Sequence, residues 1–363
     1  MSNIQNIVFS IIFHSFIICG PFSYRGILSL NNITTDDPPK DWTSYQSVIN
    51  YIPTLSFKKG LIYQRMVDTE LSYYFNVEYL QDSLFNNFEK QLPLHRLWIR
   101  YTNEKLEARL GLQKIIFGPT QILRPLSWFD TFDLKDPIGQ TKGVDALRFK
   151  WFPIENISFW SWLIHNNQDK TMSLGGRTEL SSNIGEFGLT FHLDPSNSNQ
   201  DIGQTQTFIS DSHYRTAIDY RYDGAIGFWN ESTRIKSEKS EIHISSLGAD
   251  YTIPVANGVL LMAETMYIHS RYDNQNNDQN YSVIMTSLPI GIIHSAMHIS
   301  RFDWSDEKIY HYFRWSSSFD TFSLNLILSI NPNRNQYNVP ENVLPKSLSG
   351  FGKVIQFVFT YNH

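Results

Sequence analysis

Hydrophobic and polar residues alternate with a period of two along most of this chain, most clearly in its last segment. In 352–363, Ile355, Phe357, Phe359, Tyr361 and His363 share one face, while Val354, Gln356, Val358, Thr360 and Asn362 share the other. A period of two marks an extended strand. The same alternation recurs in 71–79, 106–113, 186–193, 213–222 and 322–330. Further strands are expected near 46–57, 94–102, 143–152, 156–165, 171–181, 224–230, 242–253, 258–269, 281–290, 292–302 and 308–316. Asp223-Gly224 and Asn257-Gly258 mark tight turns. Longer polar connections are expected at 194–209, 231–241, 271–280 and 331–350.

Short turns at one end and long loops at the other are the asymmetry of a transmembrane antiparallel up-and-down β-barrel, an all-β fold. In hydrocarbon every backbone N–H and C=O needs a partner within the protein, and a sheet supplies these only when it closes on itself. At about 20 residues per strand and connection, the chain predicts about 16 strands, with 14 to 18 allowed and an even number required. The expected organisation is a signal peptide at 1–23, a lead-in at 24–45 ending in TTDDPPKDW, and a barrel over 46–363. The oily strand faces are expected to meet acyl chains and the polar faces to enclose the lumen.

Composition sharpens this picture. Aromatics make up 15% of the 363 residues and charged residues only 18%, against about 25% charged in ordinary soluble domains. The mean hydropathy is nevertheless −0.30, as expected where one strand face meets lipid and the other water. A net charge of −5 offers no electrostatic footprint for nucleic acid. The apolar stretch 7–19 has the length of an export-signal core and is too short for a spanning helix. It holds the only cysteine, Cys19, and bulky Ile18 argues against lipidation there. The expected location is the outer membrane of a Gram-negative bacterium, with outer-membrane lipid as surroundings.

Residues 109–143 break the alternation. A strand carrying Arg109, Gly111 and Gln113 runs into Gly118-Pro119, and an aperiodic stretch with Pro125 and Pro137 follows. A loop that long tends to be functional. Folded into the lumen over 114–142, it would place Lys114, Arg124, Asp130, Asp133, Lys135 and Asp136 at a constriction; the alternative is an external loop over the rim. The polar strand faces add Arg96, Arg100, Arg109, Arg148, Lys150, Arg177, Arg215 and Arg221, against acidic Glu107, Glu179 and Asp219. Such a wall favours anions, unless the charges pair across strands and brace it.

The pairing of RLWIRYTNEKLEARLGLQKIIFG (96–118) with LRPLSWFDTFDLKDP (123–137) resembles the porin-like outer-membrane barrels of Gram-negative bacteria, nearest those of the alginate-export type. Arg96, Arg100, Arg109, Gly111, Gln113, Gly118, Arg124, Pro125, Asp130, Asp133 and Asp136 carry the resemblance. It implies a porin-like channel for passive or weakly anion-selective diffusion of small polar solutes, with no cofactor and no chemistry. It also implies recognition by the barrel-assembly machinery through the C-terminal strand, although many such barrels end on Phe and here Asn362 and His363 follow Tyr361. A homo-oligomer is allowed, with no surface that identifies an interface. The alternative is a non-conducting structural, assembly or polysaccharide-binding barrel. A third reading, a lipid-modifying barrel enzyme, rests on His243 with Ser245 and His298 with Ser300, each pair on one strand face.

Overall fold

In a computed structural model, the described residues are 20–39, 42–62, 64–82, 86–91, 93–130, 136–141, 143–167, 169–197, 200–202, 207–255, 257–272, 275–332 and 347–363. Eighteen antiparallel strands form one closed ring. They are β1 (Phe22–Thr35), β2 (Trp42–Gly60), β3 (Met66–Tyr73 continued by Phe75–Asp82) and β4 (Asn86–Gln91 continued by Leu94–Thr102). Then come β5 (Leu106–Gln113), β6 (Val144–Ile154), β7 (Ile157–Asn166), β8 (Thr171–Ser182) and β9 (Gly185–Asp194). Next are β10 (His213–Tyr222), β11 (Gly227–Ser237), β12 (Ser240–Ile253), β13 (Val259–Tyr272) and β14 (Gln275–Ile290). The ring ends with β15 (His294–Asp303), β16 (Lys308–Ser318), β17 (Phe322–Ile330) and β18 (Lys353–Asn362).

Each strand pairs with its neighbours in sequence, and β18 closes on β1 with Leu30 opposite Phe359. Every strand-like segment picked out by alternation lies on one of these strands. The expected count of about 16 is corrected to eighteen. The strand that alternation missed is β1, which occupies the expected lead-in and begins inside the expected signal peptide. Its sequence, FSYRGILSLNNITT, mixes polar and apolar residues on both faces, so periodicity hides it. Residues 1–19 lie outside the described residues.

The start of β1 at Phe22 and the end of β18 at Asn362 lie at one end of the barrel, where the connections are short. Asp223-Gly224 and Asn257-Gly258 are turns at this end, and Gly258 has a φ of +90° that favours glycine. The opposite end carries the long connections 114–143, 195–212 and 331–352. The expected loops at 231–241 and 271–280 are corrected: β11 runs to Ser237 and β12 resumes at Ser240, and β13 runs to Tyr272 with β14 resuming at Gln275. Their polar composition reflects strand residues, not loops.

On most of the ring the outward positions are apolar, as with Leu189 at 63% exposure, Leu110 at 55% and Ile355 at 59%. The arc β11 to β15 adds a second apolar surface. Several inward positions are apolar and buried, among them Ile235, Ile242, Ile244, Met262, Ile268, Val283, Met285 and Ile299, beside polar Glu231 and Glu264. Outward, the same strands mix exposed Phe228, Leu247, Leu261, Tyr267 and Ile284 with Arg234, His243 and His269. The expectation that polar faces alone enclose the lumen is therefore corrected for this arc, whose inward apolar residues meet a chain segment inside the barrel.

Candidate functional site

That segment belongs to the connection from β5 to β6, whose described residues 114–130 turn into the barrel. Ile115, Phe117, Leu123, Leu126 and Trp128 are buried in one cluster with the apolar inner wall of β11 to β15. The Phe117 ring stacks on Trp162 of β7 at 5.6 Å, and Phe129 meets His192 of β9 edge-on at 4.9 Å. Burial of these aromatic and aliphatic side chains drives the segment onto the wall. Between its ends it passes from β4 to β13, because Arg96 donates to the Thr141 carbonyl at 2.7 Å at one extreme.

Two wall carboxylates at the other extreme hold its backbone. Glu264 of β13 accepts from the N–H groups of Gln121 (2.8 Å), Ile122 (3.0 Å) and Leu123 (2.7 Å), and from Trp229 Nε1 at 3.1 Å. Glu231 of β11 accepts from the N–H groups of Thr120 (2.8 Å) and Leu126 (3.0 Å). An aperiodic segment inside a barrel cannot pair with a ladder, so these carboxylates replace one. Gly118, at φ +95°, lies so close to Glu231 that a Cβ there would overlap the carboxylate. Within the segment, Arg124 and Asp130 form a buried ion pair at 2.7 Å. Burial lowers the pKa of the Lys114 ammonium below its ordinary value. Asp136 accepts from the Ile138 N–H at 2.9 Å. Asp133 and Lys135 lie outside the described residues.

The basic residues expected on the polar faces do point inward, but carboxylates meet most of them. Arg100 binds Asp68 at 2.6 Å and Glu107 at 3.3 Å, and Glu107 also takes Arg148 at 2.5 Å and Arg109 at 3.5 Å. Arg177 binds Glu179 at 2.8 Å and Asp219 at 2.6 Å; Arg215 binds Asp194 at 3.4 Å. Arg221 pairs with Asp223 in the turn, and the Lys150 ammonium sits 3.1 Å from the centre of the Trp160 ring. The wall is a braced network of both signs, not a basic ladder. Sequence counting missed both acids because Asp68 precedes the alternating stretch 71–79, and Asp194, which ends the polar face of 186–193, falls in the expected connection 194–209.

Three glycines make the bracing geometrically feasible. Gly188 stands between Glu179 and Asp219 in register, and its bare backbone lets the Arg177 guanidinium cross to Asp219. Gly175 likewise lets Trp162 reach His192 Nδ1 at 3.2 Å, and Gly248 lets Trp229 reach Glu264. A Cβ at any of the three would overlap the crossing side chain. The inward residues that sequence reasoning missed are thus Glu231, Glu264, Trp229 and Trp162. Their only signal was an acidic or aromatic residue interrupting a small or apolar strand face.

The two His/Ser pairs lie on the outer surface. His243 Nε2 is 3.2 Å from Glu241, while Ser245 bonds Ser232 at 2.8 Å. Ser300 Oγ is 3.0 Å from His311 Nδ1 and 3.4 Å from His298 Nε2. Among the described residues no cluster of His, Cys, Asp and Glu is placed to hold a metal ion.

No family model matches this sequence, and no curated protein matches it. Solved structures do. A BenF-like porin from Pseudomonas fluorescens is similar over 94% of this chain and 98% of its own, with a TM-score of 0.63 at 8% identity. OpdK of Pseudomonas aeruginosa, solved with vanillate, is similar over 94% and 98%, with a TM-score of 0.60 at 8% identity. OccD3 of the same organism is similar over 94% and 91%, with a TM-score of 0.57 at 8% identity. Identities this low speak for the fold alone, and none of these comparisons singles out the alginate-export type. The ring, its asymmetric connections and its apolar outer arc are those of an outer-membrane β-barrel, and the chain has the fold of the porins.

Proposed function

We propose that this protein is a porin-like channel of the outer membrane that passes small polar solutes by diffusion and performs no chemistry. The observation that carries this reading is the 114–130 segment held against one inner wall by Glu231 and Glu264. On this reading solutes pass along the charged wall of β3 to β6. Asp68, Arg100, Glu107 and Arg109 line that wall and keep partial exposure. Glu107 and Asp68 offset two of the three charges of Arg100, Arg109 and Arg148, so one excess positive charge is left in this cluster and any anion preference is small.

Purified protein in planar bilayers tests this directly. Stepwise conductance with a reversal potential close to zero in a salt gradient is the expected result. A silent membrane would favour the non-conducting reading, in which the packed segment closes the lumen and the outer end binds polysaccharide. Insertion through the barrel-assembly machinery by way of β18 belongs to the same proposal. Depletion of that machinery in the host is expected to leave the chain unfolded in the periplasm.

A further inference from the structure

The barrel exterior has a hollow where β10, β11 and β12 lie side by side. Its volume is about 360 Å³, within the range of about 300–1,000 Å³ usual for small-molecule pockets. Strand register sets Ile218, Ser232, Ser245 and Tyr267 in one outward row across it. The two serines in the middle are short, which opens the trough, and Leu189, Ile218 and Tyr267 wall it. The Ser232 and Ser245 hydroxyls bond each other at 2.8 Å, and Ser232 also reaches the Asn230 side-chain oxygen at 3.4 Å. Both hydroxyl protons thus have acceptors, and the floor suits an apolar chain.

Toward the long-loop end the same strands become charged. Arg234 and His243 close the hollow on that side. Glu241 binds Arg234 and, at 2.7 Å, Arg271. Lys236 stands opposite Glu241 in register and has no ion-pair partner among the described residues. Three cations therefore surround one carboxylate, while the neighbouring Asp278 is taken by His269 at 2.6 Å. A guanidinium carries five N–H donors. Arg234 gives Glu241 its Nε and one Nη, and Arg271 gives one Nη, so Glu241 fixes the pair without exhausting it. On β9 the outward residues above Leu189 are exposed Phe191 and Leu193, so the charge belongs to this patch and not to the whole rim.

Depth decides what meets this patch. With a rise of about 3.3 Å per residue and a tilt of about 40°, Ser232 and Ser245 lie roughly 13–20 Å above the short-turn end, and Glu241 and Arg271 about 30 Å above it. An apolar band about 25 Å tall ends between them. The hollow therefore faces acyl chains in the leaflet on the long-loop side, which is the external one, and the cations stand at its polar boundary. We infer that the hollow holds one acyl chain of a phosphate-bearing lipid of the outer leaflet, whose phosphate is bound by Arg234, Lys236 and Arg271. Arginine and lysine both suit phosphate oxygens, and the excess of cations over carboxylate supplies the complementary charge. The inference rests on the barrel spanning a membrane, and not on its conducting.

Native mass spectrometry of the full chain folded in detergent tests it, with dioleoyl phosphatidic acid as probe and dioleoylglycerol as its phosphate-free counterpart. One phosphatidic acid adduct per chain is expected, at concentrations where dioleoylglycerol gives none. Ser245→Phe fills the trough and should abolish the adduct, while Leu326→Phe on β17 should leave it unchanged. Lys236→Gln should weaken binding about fivefold, and Lys236→Arg should restore it. All four substitutions are on the outer face, and heat-modifiable migration on gels should show each barrel intact. Absence of the adduct, equal binding of the two lipids, or an adduct that survives Ser245→Phe would each overturn the inference.

Discussion

Replacing Glu264 with Leu probes the attachment of the inward segment most sharply. The carboxylate is 3% exposed and accepts from three consecutive backbone N–H groups and one indole. Leucine fills similar space and accepts nothing. A buried donor left unmet costs about 1–3 kcal/mol, so four donors at the low end cost about 4 kcal/mol. At about 1.4 kcal/mol per tenfold, the population with 120–123 detached from the wall rises about a thousandfold. Glu264→Gln keeps one oxygen, which serves Ile122 and Leu123, but turns an amide donor toward Gln121, so its effect falls between. The assay is maleimide labelling of Gln121→Cys in a Cys19→Ser background, in the regime where opening and closing are fast relative to labelling, so that the rate follows the open population. Labelling should accelerate by about two to three orders of magnitude in Glu264→Leu. Equal rates in the two proteins, with the barrel intact, would refute the claim that this carboxylate holds the segment.

Three further outcomes follow from the wall. Gly188→Val places a side chain where Arg177 crosses to Asp219; breaking a buried pair costs about 3–5 kcal/mol, so the urea midpoint of unfolding should fall clearly, while Gly176→Ala, with more room beside Trp160, should cost less. Glu107→Gln removes the shared partner of Arg100, Arg109 and Arg148, so the reversal potential in a salt gradient should move toward anion preference; no movement would mean those arginines do not face the conduit. Glu231→Leu removes the acceptor for two N–H groups, about 2 kcal/mol at the low end. Its effect on Gln121→Cys labelling should be smaller than that of Glu264→Leu and less than additive with it, because both hold one segment.

Much of the barrel was legible in the chain because strand geometry imposes a period of two whatever the surroundings. Leu324, Leu326 and Leu328 opposite Ser323 and Asn325 leave few alternatives to a strand with two unlike faces. β1 was illegible for the converse reason: Ser29 and Asn31 share the lumen side with Ile27 and Ile33, so its faces do not differ enough. The inward segment announced itself by losing the period at Gly118-Pro119. Its anchors did not, since a glutamate on an apolar strand face reads like any surface charge until the loop is placed against it.

The sequence by itself determined that the chain is built of strands, that they join by short turns at one end, and that a closed transmembrane ring is their stable arrangement. Alternation says that two faces differ, but not which one meets lipid. Only the tertiary structure decided that on β11 to β15 apolar residues also face inward, because there they pack against a buried segment whose backbone Glu231 and Glu264 satisfy. It also decided that the arginines are paired, because partners such as Asp68 and Arg100 come together through strand register and not through spacing along the chain. Periodicity is a local property of the backbone; the choice of partner for each face belongs to the closed ring.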